Sequence, residues 1–290
     1  MAALTKASIV VITYNEEQNI TDCLSALTSQ DYGNYDILII DASHDSTSQR
    51  AALFPNVNVI TSKRKGYGIQ RNLGIKLASG DIIAFTDADC MPPQDWLSKG
   101  INSLEKHQAS ALGGNAYPPT DAPLIGRAIA CLGYPAGGAV GLDVKKDPLS
   151  TCNAFFKKSA LTEINGFNET MIYGGEDTDL CKRLKEKGHN IVIDPSVFIY
   201  HKTRTFSQFL QWNIRRGRAK YHLEKDLKQL LMPFTIFIYP FTSKYRKLFK
   251  KRKELYLNWF TLLILIPALF FLRQLFMTLG WIKEAYHQTQ

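Results

Sequence analysis

The chain has 290 residues, 45% of them apolar and 21% charged, which excludes a disordered tail and allows one large core or two small ones. Its net charge of +9 is local, because residues 202–254 hold 15 Lys/Arg against 3 Asp/Glu and the remainder is slightly acidic. A basic block beside apolar segments suits anionic lipid or a phosphorylated substrate; no nucleic-acid-binding motif accompanies it, so nucleic acid is not expected as a partner.

Residues 8–13 are a β-branched apolar run stopped by Tyr14-Asn15-Glu16, the pattern of a buried parallel strand. A helix is predicted over residues 19–29, with Ile20, Cys23, Leu24 and Leu27 on one face. A strand over 37–40 ends at Asp41, and a short helix over 46–53 follows. A strand over 57–61, a helix over 68–78 and a strand over 81–86, ended at Asp87, repeat the pattern. Strands alternating with helices at this spacing mean an α/β fold with a parallel sheet. In such sheets ligands gather at the carboxyl ends of the strands. Three polar clusters stand there: Thr13-Tyr14-Asn15, Asp41 with Ser43 and Asp45, and Asp87-Ala88-Asp89.

Residues 115–147 are rich in Gly and Pro and lack periodicity, so a mobile or acceptor-facing region is expected. Beyond it the pattern predicts a strand over 151–156, a helix over 177–187, an extended run over 191–200 and a long amphipathic helix over 206–227. Residues 230–241 are apolar but fall short of the ~20 residues that span a bilayer, and suit an interfacial or re-entrant segment. Seven basic residues lie within 243–253. Residues 255–272 are then almost wholly apolar, broken by Asn258 and Pro267, and form a transmembrane candidate. The basic flank places that side in the cytoplasm. Five cysteines without a C-x-x-C pair fit a reducing compartment rather than a disulfide or zinc framework. No basic stretch and apolar run precede Ser8, so no signal peptide is expected. The expectation is attachment to the cell membrane with the N-terminal domain in the cytoplasm.

Asp87-Ala88-Asp89 carries the sharpest chemistry. Two carboxylates two residues apart, just past a strand, can share one Mg²⁺ or Mn²⁺, and such a cation offsets charge on a diphosphate. A solvated turn is the plain alternative. Glu176, Asp177 and Asp179 fall where a helix begins, a place that favours carboxylates for capping alone. His201 ends an extended run and is either a third metal ligand, a diphosphate contact or a structural residue. Lys63, Arg64 and Lys65 suit a diphosphate or a solvated loop equally. Gly66 and Gly68 make no dinucleotide fingerprint, since the next glycine is Gly74. Arg215, Arg216 and Arg218 cannot all face one way on a helix; some suit a phosphate of donor or lipid acceptor and the others lipid headgroups.

The run from Gly66-Tyr-Gly-Ile-Gln-Arg-Asn-Leu-Gly74 to Gly80-Asp-Ile-Ile-Ala-Phe-Thr-Asp-Ala-Asp89 closely resembles the middle of the family-2 glycosyltransferases, inverting enzymes of GT-A fold. Val10-Val-Ile-Thr-Tyr-Asn-Glu16, Asp41-Ala-Ser-His-Asp-Ser-Thr47 and Gly174-Gly-Glu-Asp-Thr-Asp-Leu180 resemble other motifs of that family, in the right order. The likeness spans about residues 8–220. It implies a GT-A catalytic domain over 1–205, followed by a basic amphipathic helix over 206–228 and a membrane-associated tail over 229–290. It implies roles as well. Thr13, Tyr14 and Glu16 would line the nucleotide pocket and Asp41 would contact the base. Lys65 and Arg71 would meet the donor, and Asp87 and Asp89 would hold metal and diphosphate. Asp177, in its pair with Glu176, would deprotonate the acceptor. The implied reaction is metal-dependent, inverting transfer from a nucleotide sugar to a lipid-linked or membrane-proximal glycan acceptor. A processive polysaccharide synthase and a non-catalytic sugar-nucleotide-binding module are the alternatives. One departure is that a single acidic residue, Asp41, follows Ile40 where the family often has two. The run Gln211 to Arg218 only loosely resembles the Gln-x-x-Arg-Trp motif of membrane-embedded polysaccharide synthases.

Overall fold

The structure, a computed structural model, describes residues 4–132, 149–223, 243–251 and 257–288. The chain forms two compact units. The first comprises Met1–Tyr117, Leu142–Ile172 and Glu176–His201; the second comprises Pro118–Gly141, Tyr173–Gly175 and Lys202–Gln290.

The first unit opens with the expected alternation: β1 (Ala7–Thr13), α1 (Ile20–Thr28), β2 (Tyr35–Asp41), α2 (Thr47–Ala51), β3 (Val57–Thr61), α3 (Tyr67–Leu77) and β4 (Ile82–Asp87). It continues with β5 (Cys90–Met91), α4 (Trp96–Lys106), β6 (Ala111–Tyr117), β7 (Asn153–Lys157), α6 (Lys158–Glu163), α7 (Glu176–Glu186) and β8 (Ile191–His201); α5 falls in the second unit. The eight strands among the described residues join one mixed sheet in the order β3-β2-β1-β4-β7-β6-β8-β5. The first four are parallel, with Thr13 opposite Asp41 and Ile12 opposite Asp87. β1, β2 and β4 therefore finish at one level. The chain leaves β1 toward β2 on one side and returns to β4 on the other, a topological switch point where a crevice opens.

β1 is buried on both faces, as a central parallel strand must be, so Ile9 to Ile12 are apolar without alternation. Val10 packs with Ile75 of α3, Leu161 of α6 and Leu180 of α7 on one face. Helix α4 sets Trp96 against Phe155 at 4.8 Å between ring centroids. Gly100 is obligatory there, because a Cβ at that position would overlap the Phe155 ring. β7 runs antiparallel between β4 and β6, and β6 pairs parallel with β8 across an irregularity between Gly113 and Asn115. Short β5 pairs with the end of β8 and sets Cys90 opposite His201.

The second unit is helical: α5 (Leu124–Ala130), α8 (Phe206–Leu223), α9 (Ser243–Lys251), a π-helical turn (Thr261–Leu265) and α10 (Ile266–His287). Ile129, Phe209, Leu248, Leu262, Ile266 and Leu269 share its core. Helices α8 and α10 meet backbone to backbone. Gly217 faces Met277 and Gly280 faces Ile214, and a Cβ on either glycine would overlap the opposing carbonyl. Beside this seam the Arg218 guanidinium donates from Nε to Glu284 Oε2 at 2.6 Å and from Nη2 to the Tyr173 hydroxyl at 2.5 Å.

Several expectations for the second half change. Residues 115–117 complete β6 and 124–130 are helix α5, while the rest of the Gly/Pro-rich stretch from 133 lies outside the described residues. The amphipathic helix is described as far as Leu223, and the expected interfacial segment 230–241 lies outside the described residues. The basic stretch is helical over Ser243–Lys251, and its last two residues lie outside the described residues. Among the described residues one helix is long and apolar enough to cross a membrane, Thr261–His287, starting later than the predicted span 255–272 and running well past it. Two local reasons account for that shift. Pro267 does not break the helix, because it directly follows the π-helical turn Thr261–Leu265, a local adjustment that accommodates the missing N–H within a continuous helix. Arg273 does not end the helix because its Nη1 donates to the Leu132 carbonyl at 2.9 Å.

Candidate active site

At the switch point Thr13 and Asp41 end adjacent strands, and both are buried. Thr13 Oγ1 and Ser43 Oγ each donate to Asp41 Oδ1 at 2.5 Å, and Ser48 Oγ donates to Oδ2. A buried carboxylate with these donors is locked in place. Asn15 adopts φ 58°, a left-handed turn that asparagine tolerates, and lets the chain leave β1. Its N–H then donates to Ser43 Oγ at 2.7 Å and its side-chain oxygen accepts the His44 N–H at 3.0 Å. The Glu16 N–H donates to Thr47 Oγ1 at 2.9 Å, and Asp45 accepts the Thr47 N–H at 3.0 Å, so these residues fasten the β1 and β2 loops together. Gln70 of α3 completes the rim. Its Nε2 donates to the carbonyls of Thr13 at 3.0 Å and Ile40 at 2.8 Å. Above this network the Tyr14 ring is 37% exposed, with Lys65 Nζ 3.1 Å from its centroid and the His44 ring edge-on at 6.0 Å. Lys65 therefore meets an aromatic face, a cation–π contact.

On the other side of β1 the chemistry is anionic. Arg71, 4% exposed, bonds Glu176 Oε1 through Nη1 at 2.6 Å and approaches Asp87 Oδ1 through Nη2 at 3.6 Å. One guanidinium thus ties the start of α7 to the end of β4. Glu176 is itself buried, and its Oε2 has no hydrogen-bond partner among the described residues. The chain enters α7 through Gly174 and Gly175 at φ 105° and 93°, conformations that L side chains rarely adopt. Asp177 follows, half-buried, with Oδ1 accepting the Thr178 N–H at 2.7 Å.

The β5–β8 pairing brings His201 Nε2 to 3.4 Å from Asp89 Oδ1. Ligand atoms of Asp89, Cys90 and His201 all lie within 4.8 Å of one another. Burial, and then the charge of Asp89, push the Cys90 thiol well above its ordinary pKa, so it stays neutral and is a poor ligand for a hard cation. The remaining donors, a partly exposed carboxylate and a buried imidazole with Asp87 two residues upstream, fit a divalent cation that accepts mixed oxygen and nitrogen ligands, such as Mn²⁺.

The expected residues Thr13, Tyr14, Glu16, Asp41, Lys65, Arg71, Asp87, Asp89, Glu176, Asp177 and His201 all belong to the first unit. Arg215 and Arg216 belong to the second, where Arg216 lies over the Trp212 ring at 4.5 Å. Sequence reasoning missed Gln70 and Ser48. Gln70 stood unassigned within a recognised motif, whereas nothing marks Ser48 in advance.

This sheet and the groups at its switch point define a class, the GT-A transferases that use nucleotide-diphosphate sugars. The chain belongs to glycosyl transferase family 2, whose description matches residues 8–164, more than half its length. A second description, the N-terminal domain of galactosyltransferase, matches residues 139–207. Glycosyltransferase AglE of Haloferax volcanii is 28% identical over 240 residues, covering 76% of this chain and 74% of that protein. A Methanococcus voltae relative is 26% identical over 245 residues, covering 73% of this chain and 72% of its own. That relative is named dolichyl N-acetyl-alpha-D-glucosaminyl phosphate 3-beta-D-2,3-diacetamido-2,3-dideoxy-beta-D-glucuronosyltransferase. Among solved structures, the mannosyltransferase PcManGT of Pyrobaculum calidifontis, in complex with GDP-Man and Mn²⁺, superposes with a TM-score of 0.67. It covers 99% of this chain and 88% of its own at 17% identity, a likeness of fold.

Proposed function

We propose that the chain is a metal-dependent, inverting glycosyltransferase that moves a sugar from a nucleoside-diphosphate donor to a lipid-linked acceptor at a membrane. The observation that carries this reading is the division between the adjacent carboxylates Glu176 and Asp177. Glu176 is committed to Arg71, which also faces Asp87. Asp177, next in the chain, remains half-exposed at the start of α7. In this reading Asp177 takes the proton of the acceptor hydroxyl, and a single displacement inverts the anomeric carbon. Tyr14, partly exposed and with Lys65 over one face of its ring, meets the base. Asp41, whose oxygens are engaged by Thr13, Ser43 and Ser48, holds the rim on which Tyr14 stands. Asp89 and His201 hold Mn²⁺ or Mg²⁺, with Asp87 kept in place by Arg71. Such a cation, when bound, offsets the charge on the departing diphosphate.

The lipid-linked acceptor is supported by the dolichyl-linked substrate in the Methanococcus voltae relative's name, together with the apolar helix α10 and the basic stretch before it. Five free cysteines, all buried, agree with a catalytic unit on the cytoplasmic face. The metal assignment is tested by thermal melting with a panel of nucleotide sugars, with and without Mn²⁺. A ligand that binds only the folded protein raises the melting temperature. Asp89→Ala is expected to lose the Mn²⁺-dependent part of that rise and keep the ligand-free melting temperature. A full Mn²⁺-dependent rise in the variant would falsify the assignment.

A further inference from the structure

Helix α10 with its preceding turn is long and apolar enough to cross a bilayer, but its packing argues for another placement. The charge-free helical part, Trp259 to Leu272, has 14 residues, about 21 Å of helix at ~1.5 Å per residue, against ~30 Å of hydrocarbon. Beyond it α10 lies on α8. Gly280 meets the Ile214 backbone, the Trp281 ring packs on Tyr221 at 5.4 Å, and Glu284 accepts from Arg218 at 2.6 Å. A spanning α10 would draw this stretch of α8, with Arg215, Arg216 and Lys220, into the hydrocarbon along with its own Lys283. Charges there are costly.

The opposite face of α10 indicates where the helix belongs. Phe271, Leu279, Ile282 and Tyr286 recur along one side, each at least 37% exposed, and Ile264 of the preceding π-helical turn is exposed as well. Trp259 and Phe260 extend this strip at its near end, 50% and 58% exposed. Trp259 also packs on Phe249 of α9 at 5.5 Å between ring centroids. Helix α9 buries Tyr245 and Leu248 and exposes Arg246, Lys247 and Lys250. An apolar strip ended by Trp259 and Tyr286, with cations beside it, matches the boundary between anionic headgroups and acyl chains.

We propose that α9 and α10 form a monotopic attachment to an anionic lipid bilayer. The strip on α10 lies in the plane of the headgroup–acyl boundary, the cations of α9 sit at the headgroups, and no segment from Trp259 to His287 crosses to the far side. This deepens the membrane reading above and rests on it.

The test uses the full chain in sealed inside-out vesicles from expressing cells, with a membrane-impermeant maleimide. One variant carries Gln288→Cys, just past α10, and a second carries Lys187→Cys, exposed on the first unit. The native cysteines are all buried and give a low background. The proposal expects both variants to label at similar rates without detergent. Labelling of Gln288→Cys only after detergent, beside free labelling of Lys187→Cys, overturns it in favour of a spanning helix and leaves the membrane reading intact. Recovery of the protein in the soluble fraction overturns both. A second arm floats purified protein with vesicles of phosphatidylcholine and phosphatidylglycerol in equal parts. The double variant Phe271→Asp, Leu279→Asp is expected to bind at least about tenfold more weakly, since two large apolar contacts with lipid become charges. Its thermal melt reports whether it folds. Unchanged flotation of a folded variant overturns the strip, and if the variant does not fold, the labelling arm decides.

Discussion

In the first unit, buried charge gathers at strand ends: Arg71 stands between Asp87 and Glu176, and His201 faces Asp89. In the second, it gathers between helices: Glu284, 3% exposed, accepts from Arg218 through one oxygen and pairs with His222 through the other at 3.0 Å. Tyr173 closes that cluster from above, with the Arg218 guanidinium 4.0 Å from its ring centroid. The two clusters differ in completeness. Both oxygens of Glu284 are engaged, whereas in the first unit Glu176 Oε2 is unmatched among the described residues and Asp87 and Asp89 keep exposed surface. A cluster whose hydrogen bonds close on themselves holds a fold together; one left partly open has room for a ligand.

The largest test of that contrast is Asp177→Asn. The amide has the shape of the carboxyl group but takes no proton, so transfer should fall about 10²–10⁴-fold while the melting temperature and the donor-induced rise stay as in the parent. Parallel loss of rate and stability would move Asp177 to the structural kind of cluster. The reverse pattern is expected of Glu284→Gln. It should cost about 1–3 kcal/mol of stability in a urea melt, below the ~3–5 kcal/mol of a fully buried broken pair because Arg218 is partly solvated, with donor binding unchanged. A variant as stable as the parent would show that the helical cluster is dispensable. The smallest effect belongs to Lys65→Met. Loss of an exposed cation–π contact is worth about 0.5–1 kcal/mol, so donor affinity by calorimetric titration should weaken about two- to fivefold. Unaltered affinity would remove the Tyr14–Lys65 pair from the donor site.

Much of the first unit is legible in the chain because a buried parallel strand is a continuous apolar run that stops at a polar residue. Thr13, Asp41 and Asp87 are such stops, and the structure sets all three at one end of the sheet. Helix α4 shows its period in Trp96, Leu97, Ile101 and Leu104, but sequence reasoning missed it, since Gly100 stands in its middle to make room for Phe155. Strand β6 leaves no such trace, because it carries Gly113 and Gly114, where any Cβ would strike Leu149, Asn153 or the Val197 carbonyl. Glycine read locally marks a turn, yet here it marks close approach by residues remote in sequence. The same holds for the site. Arg71 and Glu176 are 105 positions apart, and the pairing that sets His201 beside Asp89 depends on a two-residue strand. In the tail, the apolar composition of α10 was visible, but the glycine seam that decides its neighbour was not.

The Gln70 side chain has a consequence for how this site responds to pH. Its nitrogen gives both hydrogens to main-chain carbonyls of adjacent strands, and its oxygen accepts the Gly66 N–H at 3.3 Å. Asparagine is one methylene too short to reach both strands, and glutamate would present negative oxygen to two carbonyls. Glutamine alone supplies two donors and an acceptor at that length without a titratable proton. The opening between the first two strands is thus spaced by a group indifferent to acidity, so its width holds across the pH range in which the carboxylates around it change charge.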